Sequence, residues 1–249
     1  MKKTKTKTKT RKNKDCPIYL MTISTKQHPD MERFVKSAEA HGFKPNVLGL
    51  KENKTLGHSK AKLTMKGYQG DFGFKLKYIV DFCKKRKPND IVLYTDCWDV
   101  IIVGDCDDLL KKYKLFHKDI VFSGDKTPFS QPMNFYKYNW YSDTFPYLNA
   151  GVMIGKAGTI ISLIEKYWKK DEFIDDQYLW QTIYLENKDK IGLDTEVKMF
   201  LTTAFTKISN YKYEDNKLKY LETNTFPCIV HAPGYTSLGF KKYLDIIKY

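Results

Sequence analysis

Short apolar runs, each closed by a polar turn and followed by helically spaced residues, recur along the first half of this chain. Residues 17–23 (Pro-Ile-Tyr-Leu-Met-Thr-Ile) form the first run, and Ser24, Thr25 and Lys26 turn the chain out of it. Residues 30–41 then carry Met31, Phe34, Val35 and Ala38 at the three- and four-residue spacing of one helix face, and Gly42 stops them. Residues 46–50 are a second β-favouring run. Strand, helix, strand in that order predicts a nucleotide-binding type of α/β domain with right-handed crossovers. The first strand is not followed by Gly-x-Gly-x-x-Gly or by a phosphate-loop motif, which weighs against a dinucleotide fold and a nucleoside triphosphatase.

The same pattern continues with a helix over 74–85, whose Leu76, Ile79, Val80 and Cys83 face inward. Lys75 falls in its first turn, where the helix dipole disfavours a cation unless an anion shares the site; that marks Lys75 as a phosphate contact. The apolar run 91–94 stops at Asp96, Asp99 follows three residues later, and a second run over 100–103 leads away. In open α/β sheets ligands collect beyond the carboxyl ends of strands, and two carboxylates there suit a hard divalent cation. A plain acidic turn is the alternative.

Further on, 107–113 reads as a short helix and 119–123 as a strand. Residues 124–147 carry Pro128, Phe129, Pro132, Phe135, Tyr136, Trp140 and Tyr141 with little periodicity, a long excursion of the kind that forms a binding wall or a satellite core. Residues 146–155 read as a turn feeding a strand. Ala150 and Gly151 would let a ligand approach the backbone there, and Asn149 offers a two-way hydrogen-bonding amide. Asp171, Glu172, Asp175 and Asp176 precede Gln177 on the next helix, where acids either cap the helix or meet sugar hydroxyls. Residues 192–225 are hard to place, with a strand expected over 200–205. Residues 227–231 form a strand ending in His231, a metal ligand if the sheet brings it beside Asp96 and Asp99. A closing helix is expected over 238–247.

Composition changes this picture in three places. The net charge of +14 invites a nucleic-acid reading, but residues 1–14 hold eight Lys or Arg and no acid, leaving 35 basic against 29 acidic residues elsewhere. The excess therefore belongs to a Lys-Thr tail, residues 1–16, expected to be a disordered arm, and no specific nucleic-acid partner is expected. No apolar stretch is long enough to span a bilayer, and the tail lacks the apolar centre of a secretory signal, so a cytoplasmic location is expected. Five cysteines without metal spacing read most simply as free thiols in a reducing compartment, with one disulfide left open. His58, alone in the polar stretch 51–69, reads as a solvated side chain.

Taken together, the ordered motifs resemble the glycosyltransferase domain of the procollagen lysyl hydroxylases. They are Ile23-Ser24-Thr25-Lys26, Gly73-Phe74-Lys75, Tyr94-Thr95-Asp96-Cys97-Trp98-Asp99-Val100, Leu148-Asn149-Ala150-Gly151, Asp175-Asp176-Gln177 and Ile229-Val230-His231. The resemblance runs from residue 17 to residue 249 and implies one domain of GT-A type, a Rossmann-like mixed sheet flanked by helices with a metal site at the strand carboxyl ends. It implies Mn²⁺ on Asp96, Asp99 and His231, and UDP-glucose as donor. Thr22, Ile23, Ser24 and Thr25 would hold uridine and ribose, Trp98 would lie against the nucleotide, and Lys75, Asp96 and Gly234 would meet the donor. Asn149, Asp175, Asp176 and Gln177 would surround the transferred sugar and acceptor. The implied reaction moves glucose to galactosyl-hydroxylysine of a collagen-like polypeptide; a galactosyltransferase, another UDP-sugar transferase and a non-catalytic UDP-sugar binder are the alternatives. Large relatives are dimeric, so a homodimer is open. The family's post-histidine lysine is replaced by Ser237, with Lys241 or Lys242 as possible substitutes.

Overall fold

The structure, a computed structural model, describes residues 16–53, 62–64, 67–69, 72–170, 173–215 and 217–233. His58, Asp171, Glu172, Gly234, Ser237, Lys241, Lys242, the closing helix and all but the last residue of the basic tail lie outside those residues. Strands β1 (Ile18–Ile23), β2 (Asn46–Leu48), the pair β3 (Lys62–Thr64) and β4 (Gly67–Gln69), β5 (Ile91–Thr95), β6 (Val100–Ile102), β7 (Ile120–Asp125) and β8 (Tyr147–Lys156) come first. β9 (Ile191–Asp194), β10 (Phe200–Thr202), β11 (Tyr211–Glu214), β12 (Lys217–Tyr220) and β13 (Ile229–His231) complete the set. The helices are α1 (Pro29–Ala40), α2 (Gly73–Cys83), α3 (Cys106–Lys114), α4 (Ala157–Tyr167) and α5 (Asp176–Glu186).

Six strands form the central sheet in the order β2-β1-β5-β8-β7-β9. β1 runs parallel to β2 and β5, and β7 parallel to β9, but β8 is antiparallel to both of its neighbours. Period-two alternation divides each strand between two cores. Val92 and Tyr94 of β5, Ile120 and Phe122 of β7 and Met153 of β8 join α2, α4 and α5 on one face. Leu93, Val121, Val152 and Ile154, the intervening residues, join α1 and α3 on the other. The strands are buried on both faces, so they read as unbroken apolar runs rather than as alternating ones.

The turn-then-strand expected over 146–155 is instead a single ten-residue strand, so Asn149, Ala150 and Gly151 are sheet residues between β5 and β7. β6 leaves the main sheet for a smaller one, ordered β10-β13-β6. The unplaced region 192–225 resolves into β9, β10 and the β11–β12 hairpin; the expected strand over 200–205 stops at Thr202. Free thiols describe Cys83, Cys97 and Cys228, all buried, but Cys16 and Cys106 are joined in a disulfide. It ties the start of β1 to the start of α3 across 90 residues, a proximity that spacing alone does not disclose.

Candidate active site

Asp96 stands one residue beyond β5, and Asp99 lies in the turn before β6. β13 pairs antiparallel with β6, placing His231 opposite Val100, and Ala232 N–H donates to the Asp99 carbonyl at 2.8 Å. Strand pairing thus carries the histidine to carboxylates more than 130 positions earlier. One ligand atom from each of Asp96, Asp99 and His231 lies within 4.8 Å of the others. His231 Nε2 is 3.6 Å from Asp99 Oδ2 and 3.9 Å from Asp96 Oδ2.

His231 is 2% exposed, and neither ring nitrogen has a hydrogen-bond partner. A buried polar atom without a partner is costly, and a cation between the imidazole and the two carboxylates would satisfy it. Carboxylate and imidazole donors together suit a divalent metal ion. The ring has room because Gly151 on β8 lacks a side chain: a Cβ there would stand 2.2 Å from His231 Cε1. Gly151 is itself fixed, its N–H donating to Asn149 Oδ1 at 2.9 Å and its carbonyl accepting from Asp96 N–H at 2.7 Å.

Lys75, in the first turn of α2, reaches across to Asp96 Oδ1 at 2.9 Å and Asp176 Oδ2 at 3.4 Å. Burial pulls its ammonium down, but Asp176 and Asp96 outweigh that and hold it well above its ordinary value. Burial likewise raises Asp96, yet Lys75 and His231 more than compensate, and its carboxyl sits below the usual range. Tyr94 adds a hydrogen bond to Asp96 Oδ1 at 2.7 Å. At Asp176 the balance falls the other way: burial, with Asp175 and Asp96 adding to it, pushes the carboxyl up to about 7 against the pull of Lys75.

Asp175 caps α5, accepting from Gln177 N–H at 3.1 Å and from Ser130 Oγ at 2.5 Å, so the capping reading of this acidic pair holds for Asp175. Burial raises its carboxyl too. Asn149 donates to Asp125 Oδ2 at 3.0 Å while its oxygen holds Gly151 N–H, so its amide aligns both groups from the cavity wall. Gln177 Oε1 accepts from Ala150 N–H at 3.3 Å.

These groups line one cavity of about 520 Å³, bounded by Lys75, Asp96, Asp99, Asp125, Asn149, Gly151, Asp175, Asp176, Gln177 and His231, with Phe129, Phe205 and Pro233 also in its wall. The first strand's turn stands apart from this wall. Thr22 is fully buried and donates to the Thr95 carbonyl at 2.8 Å, so its hydroxyl is engaged within the sheet. Ser24 is buried as well, donating to the Lys26 carbonyl and accepting from Trp98 Nε1–H at 2.8 Å. Ile23 packs on the α2 side of the sheet, and Thr25 is buried. Trp98 stacks on His28 with centroids 4.5 Å apart and is not one of the residues lining the cavity.

Sequence reasoning missed Asp125 and Ser130. Asp125, buried at the end of β7, accepts from Thr127 N–H and Oγ1 as well as from Asn149, and burial raises its carboxyl. A signal existed, since Asp125 ends a strand much as Asp96 follows one, but the strand was expected to stop at Ser123. Ser130 gave none, because its contact with Asp175 spans 45 residues. With Asp125 counted, five carboxyl groups face one lysine and one histidine, and burial raises three of them, Asp125, Asp175 and Asp176.

The model of the PLOD GT domain family matches residues 14–248. The chain belongs to that family. It is therefore a glycosyltransferase domain, and the observed mixed sheet, with Asp96, Asp99 and His231 grouped as they would be to hold a metal ion, agrees with that. Its relatives include procollagen-lysine,2-oxoglutarate 5-dioxygenase 1 of Gallus gallus, 28% identical over 89% of this chain and 30% of that protein. The Drosophila melanogaster procollagen-lysine,2-oxoglutarate 5-dioxygenase is 28% identical over 91% of this chain and 32% of its own length. This PLOD GT chain thus spans about a third of the relatives it matches. A solved structure, described as a glycosyltransferase involved in the glycosylation of the major capsid of PBCV-1, covers 90% of the chain at 9% identity and a TM-score of 0.49.

Proposed function

We propose that this chain transfers glucose from UDP-glucose to galactosyl-hydroxylysine of a collagen-like polypeptide, with Mn²⁺ held by Asp96, Asp99 and His231. The observation that carries the metal dependence is the buried, unpartnered imidazole of His231 facing two carboxylates. The donor and acceptor rest on membership of the PLOD GT family and on relatives named for procollagen lysine. When bound, the cation would offset the diphosphate's charge and stabilise it as a leaving group.

The chain's own residues supply the rest. Lys75 would turn from Asp96 and Asp176 toward donor oxygens, a short movement for an ammonium already in the cavity wall. Both oxygens of Asp175 are engaged by Ser130 and Gln177, so Asp176 is the carboxylate left to face the transferred sugar or the acceptor hydroxyl. Asn149 positions Gly151 and Asp125. Trp98 and the turn it braces would flank the nucleotide.

UDP release from UDP-glucose, measured with Mn²⁺ and with a chelator, tests this reading, together with transfer to galactosyl-hydroxylysine, hydroxylysine and free galactose. Metal-dependent release with transfer to the galactosylated acceptor is expected; binding with no metal-dependent release would make the chain a UDP-sugar binder. Asp99→Ala should lower release at least a hundredfold with the far-UV spectrum unchanged. A near-wild-type rate would overturn the metal assignment.

A further inference from the structure

The turn after β10 presents a phenylalanine to the cavity in a backbone conformation that phenylalanine disfavours. Phe205 has φ +57° and is 79% exposed, yet it lines the cavity beside Ala204 and Pro233. It is the third residue of a turn closed by Thr206 N–H donating to the Thr203 carbonyl at 3.1 Å, the position where a positive φ is ordinarily supplied by glycine or asparagine. Asn53, Asp215 and Asn224 share the left-handed region as short polar residues that tolerate it, and His117, Ser130, Lys170 and Val197 also adopt it; of these only Ser130 and Phe205 line the cavity.

The turn is held firmly. β10 pairs with β13 so that Thr202 lies opposite His231, and Thr203 N–H donates to the His231 carbonyl at 2.8 Å. Thr206 Oγ1 adds a second bond to the Thr203 carbonyl at 2.7 Å. The strained residue therefore hangs directly from the strand that ends in the metal-ligand histidine. A large apolar ring held at a fixed position, exposed to solvent and lining the cavity, is placed for a ligand contact rather than for packing.

We infer that Phe205 is an acceptor-specificity residue, its ring stacking on the apolar C–H face of the acceptor's hexose. This rests on the function proposed above. Depth in the cavity separates the two substrates. Lys75, Asp176 and His231, which would meet the donor's charged and reacting end, are nearly closed to solvent. The Phe205 ring is largely exposed on the wall of the same cavity, a place open to an incoming acceptor. Ala204 and Pro233 offer no competing polar group on that wall.

Steady-state transfer from UDP-glucose with Mn²⁺ to a galactosyl-hydroxylysine peptide tests it in wild type and in Phe205→Ala, Phe205→Gly and Phe205→Tyr. The acceptor KM should rise about two- to tenfold in the alanine and glycine variants and return with tyrosine, while the UDP-glucose KM moves less than about twofold. Phe205→Gly should also melt about 2–4 °C above Phe205→Ala, because only glycine relieves the left-handed backbone. An unchanged acceptor KM in Phe205→Ala, or an equal rise in both KM values, overturns the inference while the wild-type transfer leaves the functional reading standing. A wild-type chain that transfers nothing to this acceptor overturns the functional reading, and the inference falls with it.

Discussion

Gly151 is where one missing side chain decides the chemistry. A β-carbon at this position would stand 2.2 Å from the His231 ring, while the backbone there pairs with Asp96 and Asn149 and cannot retreat. Gly151→Ala should therefore rotate or expel the imidazole and weaken Mn²⁺ binding at least tenfold, with the fold retained; calorimetric titration of the metal checks it. The need for a small residue here was legible in the sequence, as room for a ligand to approach the backbone. What the glycine admits is the chain's own histidine, which only the pairing of β6 with β13 could reveal.

At the scale of elements, the fully buried Asp194 organises the return of the chain toward the site. It ends β9 and accepts backbone N–H groups from Lys198, Met199 and Phe200 at 2.8, 2.6 and 2.8 Å, folding residues 195–199 into a tight connection to β10. β10 then templates β13 and so His231. Burial pushes the Asp194 carboxyl up to about 6 despite those three donors. The folded chain thus holds a proton between about pH 4 and pH 6 that the unfolded chain, near 3.9, has already lost. This contribution to stability is full below about pH 4 and is lost as pH rises through about 6. Asp194→Asn removes it, so the wild-type-minus-variant unfolding free energy should fall by up to about 3 kcal/mol across that window in urea titrations. A flat difference would mean that the backbone donors hold Asp194 ionised throughout. Nothing in the sequence announced this connection, because it is built on main-chain donors rather than on a side-chain pattern.

For the whole molecule, the Cys16–Cys106 disulfide joins the first strand to the third helix outside the cavity wall. Closing 90 residues of chain restricts the unfolded state by about 4–5 kcal/mol in the chain-entropy estimate. Reductant should therefore lower the melting temperature by roughly ten degrees or more while leaving Mn²⁺ affinity within about twofold of its oxidised value. Thiol counting before and after reduction, alongside scanning calorimetry, checks both. A protein with all five cysteines free as isolated would sink the disulfide. Among the described residues no helix is long and apolar enough to cross a membrane.

By itself the sequence determined the elements and the chemistry they carry. Apolar runs closed by Asp96, Lys75 opening a helix, acids before α5 and a strand ending in His231 are all local, because periodicity and capping operate within a few residues. Tertiary structure alone decided which of these groups meet. The antiparallel insertion of β8 put Asn149 and Gly151 between Asp96 and Asp125, and β13's pairing brought His231 to Asp96 and Asp99. It also buried Thr22, gave Asp175 to Ser130 and left Asp176 to the cavity. Strand order, register and burial depend on contacts across 50 to 130 residues, where chain sterics set no preference and only packing of the whole sheet selects one arrangement.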